Sequence, residues 1–183
     1  MSGELEVFVA NEQDDVPIAE DLFYTLAKAI AINEYRVRPA ELSVLFVDRD
    51  VIASMNLEFR AMNGPTDVLS FVIEEDDPPF GGSPDSRRPT PTSPQLERPA
   101  LLGDIVICPL VAAENAAQHE GERGHDGTIE DELALLLVHG VLHLKGMDHE
   151  IDAEAELMEA REDELLEQFY RPLKAERLGR GRE

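Results

Sequence analysis

A chain of 183 residues, 43% apolar and 30% charged, carries enough apolar material for one packed core and too little length to need a second, so one domain is expected. The net charge of −23 counts against a protein held to nucleic acid by a basic surface, because phosphate binding by counterion release draws on clustered lysine and arginine. The acidic N-terminus lacks an export signal, the most apolar stretch, Leu133 to Leu144, is too short to span a bilayer, and the single Cys108 cannot close an internal disulfide, so a cytoplasmic protein without a membrane partner is expected.

Leu5, Val7 and Val9 alternate with Glu6, Phe8 and Ala10, which predicts an opening strand. Between Pro17 and Arg36, Ile18, Leu22, Leu26, Ala29 and Ile30 fall near helical spacing, with Asp15 as a cap candidate and Pro39 as a stop. Glu41 to Val47 predicts a second strand, after which Asp48 or Asp50 caps a helix running to about Met62, ended by Asn63-Gly64-Pro65. Val68 to Ile73 and Gly103 to Ile107 predict a third and a fourth strand. Between them, residues 76–99 hold seven prolines, which neither a ladder nor a helix tolerates. This Pro-rich segment reads as a surface insertion; the alternative is a substrate-covering lid carrying Arg87 and Arg88.

A short helix is expected from Pro109 to about His119, then a polar loop from Gly121 to Gly127. Thr128 is an N-cap candidate for a helix whose apolar content is Ile129, Leu133, Leu136, Leu137 and Val141, with Gly146 as its stop. Asp152 is read as the cap of a last helix with Met158, Leu165 and Phe169 inward and Glu154, Glu159 and Glu162 outward. The acidic residues crowded between Ile129 and Gln168 read as solvated helix faces, and the basic stretch 171–183 as a disordered tail. Together these elements predict a single α+β domain over residues 1–170, with about four strands in a sheet packed against helices.

The chemistry concentrates in Val138 to His149, V-H-G-V-L-H-L-K-G-M-D-H. His139 and His143 are four apart, so on a helix their rings project from one face and can share a cation. Gly146 lets the chain reverse, which brings His149 toward the same point from outside the helix. Three imidazoles leave one tetrahedral position open, the arrangement of a catalytic zinc rather than a closed structural one, and one zinc per chain is expected. A zinc peptidase of the H-E-x-x-H kind places a glutamate where this chain has Gly140, so that chemistry is disfavoured. Asp148 is the nearest candidate to orient an imidazole or shuttle a proton. Thr66, Asp67 and Asp104 stand at strand starts, where they either support the metal ligands or cap turns, and His119 and His125 read as surface residues.

The run H-G-V-L-H-L-K-G-M-D-H resembles the signature of the bacterial rRNA maturation factor family of YbeY endoribonucleases. Upstream, L-E-F-R-A-M-N-G-P-T-D-V-L-S-F and L-G-D-I-V-I-C resemble two further blocks of that family, in the family's order, and the resemblance covers most of Leu42 to Glu150. It implies a single-domain α+β endoribonuclease with a three-histidine zinc site, acting on single-stranded rRNA at the 3′ end of the small ribosomal subunit and in ribosome quality control. Carried over residue by residue, the ligands map onto His139, His143 and His149 and the family's functional arginine onto Arg60. The chain departs from the family in Met147, where tyrosine is frequent, and in the length of the Pro-rich segment. Two other functions stay open: a zinc-dependent hydrolase of another substrate, and a non-catalytic ribosome-assembly factor with a structural metal. Oligomeric state, cleavage position and product ends are not legible in the residues.

Overall fold

Strand β1 (Leu5–Asn11) buries Leu5 and Val7 and exposes Glu6 and Phe8, as a period of two demands when one face meets a core. The computed structural model describes residues 5–36, 39–73, 99–122, 124–147 and 151–180. From β1 the chain crosses through α1 (Glu20–Glu34) into β2 (Ala40–Phe46), which pairs parallel with β1. Helix α2 (Arg49–Arg60) opens on Asp48, whose carboxylate accepts from the backbone N–H groups of Asp50 and Val51, leaving two fewer orphan donors in the first turn. Strands β3 (Val68–Phe71) and β4 (Ala100–Ile107) are antiparallel neighbours, and β4 also pairs parallel with β2, giving the order β1-β2-β4-β3. The Pro-rich segment therefore joins two adjacent strands; all of it but Pro99 lies outside the described residues.

Alternation along β4 feeds two cores. Ile105 and Ile107 join Leu42, Val44 and Phe46 against Leu26 and Ile30 of α1 and Leu137 and Val141 of α4 (Ile129–Leu144). Val106 and Cys108, one residue out of phase, join Val47, Leu69 and Ile52 of α2 in a smaller core on the opposite face. Each such fully buried aliphatic side chain contributes roughly 1.5–3 kcal/mol relative to exposure. Helix α3 (Pro109–Ala116) leads to the loop before α4, and α4 is followed by α5 (Asp152–Leu165), one π-helical turn (Leu166–Tyr170) and α6 (Arg171–Arg180). The result is a single α+β domain with a four-stranded mixed sheet, as the sequence pattern predicts. Among the described residues, no helix is long and apolar enough to cross a membrane.

Four expectations change. Helix α1 begins at Glu20 behind Ala19, which makes no side-chain cap bond, so Asp15 does not cap it. The residue preceding α5 is Ile151, and Asp152 is the first helical residue instead of the cap. The basic stretch expected to be a disordered tail is helical over Arg171–Arg180, because Lys174 reaches buried Asp131 at 2.6 Å and so pins α6 to the start of α4. The acidic crowd is not wholly solvated either: Asp131, Glu132 and Glu162 are buried, each beside a cation, a hydroxyl or an imidazole.

Candidate metal centre

Helix α4 lies close on the sheet because position 140 carries no side chain. A Cβ there would stand 2.8 Å from Ile105 Cγ2 of β4, so the glycine that excludes a zincin glutamate is also the residue that seats the helix. At the other end, Gly146 takes φ 88°, its N–H donates to the His143 carbonyl at 2.9 Å, and the Met147 N–H donates to the Leu142 carbonyl at 3.0 Å. This is a Schellman turn, and it carries the Met147 carbonyl back onto the helix it ends.

That carbonyl accepts from His143 Nδ1 at 3.0 Å. His139 Nδ1 donates in turn to Glu162 Oε1 at 2.7 Å, from α5. With a carbonyl and a carboxylate as acceptors, each neutral imidazole carries its hydrogen on Nδ1 and turns the Nε2 lone pair toward the other ring. The two Nε2 atoms face each other at 2.9 Å, with the rings nearly perpendicular. Two lone pairs aimed at one point repel unless a cation lies between them, and neutral imidazole nitrogens are what zinc and related ions take. The donor set thus fits a transition metal. His149 and Asp148, which follow the Gly146 turn, lie outside the described residues.

The pair opens on a groove of about 740 Å³, walled by Phe59 and Arg60 from α2, Thr66 to Val72 along β3, and His139 and His143. Arg60 is exposed in the last turn of α2, which Ala61 closes in the left-handed region at φ 54°. Asp67 also lines the groove, but its oxygens are engaged by the Val68 N–H, the Thr66 hydroxyl and the Asn115 amide, which makes turn capping its visible work. Asp104 sits within the ladder opposite Ser43 and Phe71 and does not line the groove.

Glu162 escaped the sequence reading, which sent it outward. A signal was present: it falls on the stripe of Met158, Leu165 and Phe169, and α5 buries Met158 and Leu165 with Glu162 between them. A second cluster corrects the reading of His119 and His125. His125 is 7% exposed, and Glu132 is 1% exposed between His119 Nδ1 at 2.7 Å and His125 Nε2 at 3.2 Å. The Glu132 hydrogen bond raises the His119 pKa above its ordinary value, against the opposing pull of burial. The ligand atoms of His119, His125 and Glu132 lie within 4.8 Å of one another, so this group could also hold a metal ion. It is chemically the poorer host. The Gly127 N–H donates to His125 Nδ1 at 2.9 Å, which puts the proton of the neutral ring on Nε2, the atom an ion would need.

Comparison with known proteins agrees with this architecture. The family described as Endoribonuclease YbeY matches residues 8–170. A relative named Endoribonuclease YbeY from Nocardia farcinica is 43% identical over 175 residues, spanning 94% of this chain and 85% of that one. One of the same name from Mycobacterium tuberculosis (strain ATCC 25618 / H37Rv) is 40% identical over 166 residues, spanning 90% of this chain and 84% of its own length. The solution structure of TM1509 from Thermotoga maritima superposes with a TM-score of 0.56 at 26% identity, covering 93% of both chains. With the family's match running from β1 to the π-helical turn, and so taking in the sheet, the groove and both helical histidines, this chain belongs to the YbeY endoribonuclease family.

Proposed function

We propose that the protein is a zinc-dependent endoribonuclease that cuts single-stranded rRNA in the cytoplasm, in the maturation of the small-subunit 3′ end and in ribosome quality control. The observation that carries this reading is the pair of Nε2 atoms 2.9 Å apart on two imidazoles that line the groove. His139 and His143 hold the ion from the helix, and His149 completes the set after the Gly146 turn. A bound zinc would supply a Lewis acid for a phosphate oxygen and an activated water at neutral pH.

The chain's own groups do the rest. Glu162 and the Met147 carbonyl fix the tautomer and orientation of the two rings. Arg60 presents a planar fork that matches phosphate oxygens two at a time and stabilises charge gathering on the cleaved phosphate. Asp148, beside the third histidine, moves a proton at the leaving or attacking oxygen. Membership of the family and the relatives' printed name support the activity. Metal analysis joined to cleavage of single-stranded and duplex RNA tests it: wild type should hold one zinc and cut the single strand, and His143→Ala should lose both. Stoichiometric zinc with no RNA cleavage would instead favour a binding factor.

A further inference from the structure

Phe59 is 59% exposed, an unusual position for a ring that could have joined the small core one turn away, where Met55 and Phe71 pack. It is held there by its backbone, since α2 ends two residues later at Ala61, whose N–H donates to the Leu57 carbonyl at 3.1 Å. Phe71 of β3 braces it edge-on, with ring centroids 5.0 Å apart and planes at 68°. The Phe59 ring is therefore supported on one side by Phe71 while more than half of the residue faces solvent at the groove wall. Its chain neighbour Arg60 and the pair His139–His143 line the same groove.

We propose that Phe59 is the stacking platform for an unpaired nucleobase of the RNA, flanking the phosphate received by Arg60 and the histidine pair. This rests on the endoribonuclease reading above and adds how the substrate is gripped. The protein's charge makes such a grip necessary. At −23 the molecule repels a polyanion at long range, and within the groove the cation Arg60 is accompanied by the carboxylate of Asp67. Arg60 and the metal-binding pair therefore need support from contacts that carry no charge. Base–aromatic stacking is such a contact, worth about 5- to 150-fold in affinity per base and tolerant of base identity because every base has a π-face. Bases inside an A-form duplex are already stacked and offer no face, so the same platform selects single strands.

The test uses the full-length, zinc-loaded protein with a fluorescein-labelled single-stranded oligoadenylate, read by anisotropy for binding and by gel for cleavage. Phe59→Leu keeps an apolar side chain but removes the π-face; it should weaken binding and raise KM about tenfold or more, with kcat, zinc content and melting temperature near wild type. Phe59→Trp should bind as tightly as wild type or tighter. An oligonucleotide with abasic sites should bind wild type and Phe59→Leu alike. Equal affinity of Phe59→Leu and wild type for oligoadenylate overturns the platform while leaving the endoribonuclease reading intact, and so does a loss that persists on the abasic strand. Binding that depends on Phe59 without any cleavage sinks the nuclease and keeps the platform. If wild type neither binds nor cuts, both fail.

Discussion

The carboxylate of Glu162 lies 5% exposed against the His139 ring, and its negative charge strengthens the ring as a donor to a cation. Glu162→Gln keeps an acceptor oxygen for Nδ1 but removes that charge. It should lower zinc affinity about 10- to 100-fold, the range for loss of an outer partner, with the fold retained. Competition with a chromogenic chelator measures it, and an unchanged affinity would reduce Glu162 to packing. The same titration on His119→Ala separates the two imidazole clusters. Because the His125 proton is committed to Nε2, the ion should remain at His139 and His143 and cleavage should be unaffected. Loss of zinc in that variant would transfer the metal to the His119, His125 and Glu132 group.

Glu34, at the end of α1, anchors Arg161, the neighbour of Glu162 in α5. Glu34 is buried and bonds Lys145 at 2.6 Å, beside the α4 C-terminus, and Arg161 of α5. Burial pushes its carboxyl up, but hydrogen bonds from Arg161, Lys145 and Asn33 outweigh it, and the pKa lies below the ordinary value. A carboxyl with a folded pKa below its unfolded one contributes fully above the unfolded range and loses that contribution as pH falls through the folded pKa. Glu34→Gln should therefore cost about 1–3 kcal/mol near neutrality, less than a wholly buried pair because Lys145 and Arg161 keep side-chain exposures of 42% and 32%. The gap to wild type should narrow below about pH 4, as urea melts across pH will report. Gly140→Ala places a Cβ 2.8 Å from Ile105 Cγ2 and should cost about 1–3 kcal/mol as α4 is pushed off β4, with weakened zinc binding in the same preparation.

The strands and α1 were legible from period, and α2 and α4 from period and caps, since Asp48 and Thr128 accept from the N–H groups they cap, whereas α1 starts behind Ala19 and not at Asp15. The pair His139 and His143 was legible from spacing alone. Glu132 and His125 were not, since what buries them is a pairing between the loop before α4 and its first turn that no helical or strand period reveals, whereas Glu162 stood on a legible apolar stripe and was passed over for its charge. Helix α6 was missed because its basic residues are ordered by Asp131 and Asp126, 43 and 48 positions earlier than Lys174.

At the level of the whole molecule, β3 and β4 pair as antiparallel neighbours through Val68 to Phe71 and Asp104 to Ile107. Replacing residues 76–98 with a short Gly/Asn turn should leave zinc content and melting temperature almost unchanged, since closure cost grows only logarithmically with loop length. A selective fall in RNA cleavage, largest at low salt, would instead show that Arg87 and Arg88 meet the substrate. The parallel pairing of β2 with β4 has a different reach. It joins residues about 60 positions apart, Ala40 with Ala100 and Phe46 with Ile107, and α4 can dock only on the finished pair. Long-range parallel pairing is slow to form, so the histidine helix finds its seat late in folding. Zinc should then leave the refolding rate unchanged and slow unfolding, which makes the ion a kinetic lock on a finished structure and not its nucleus.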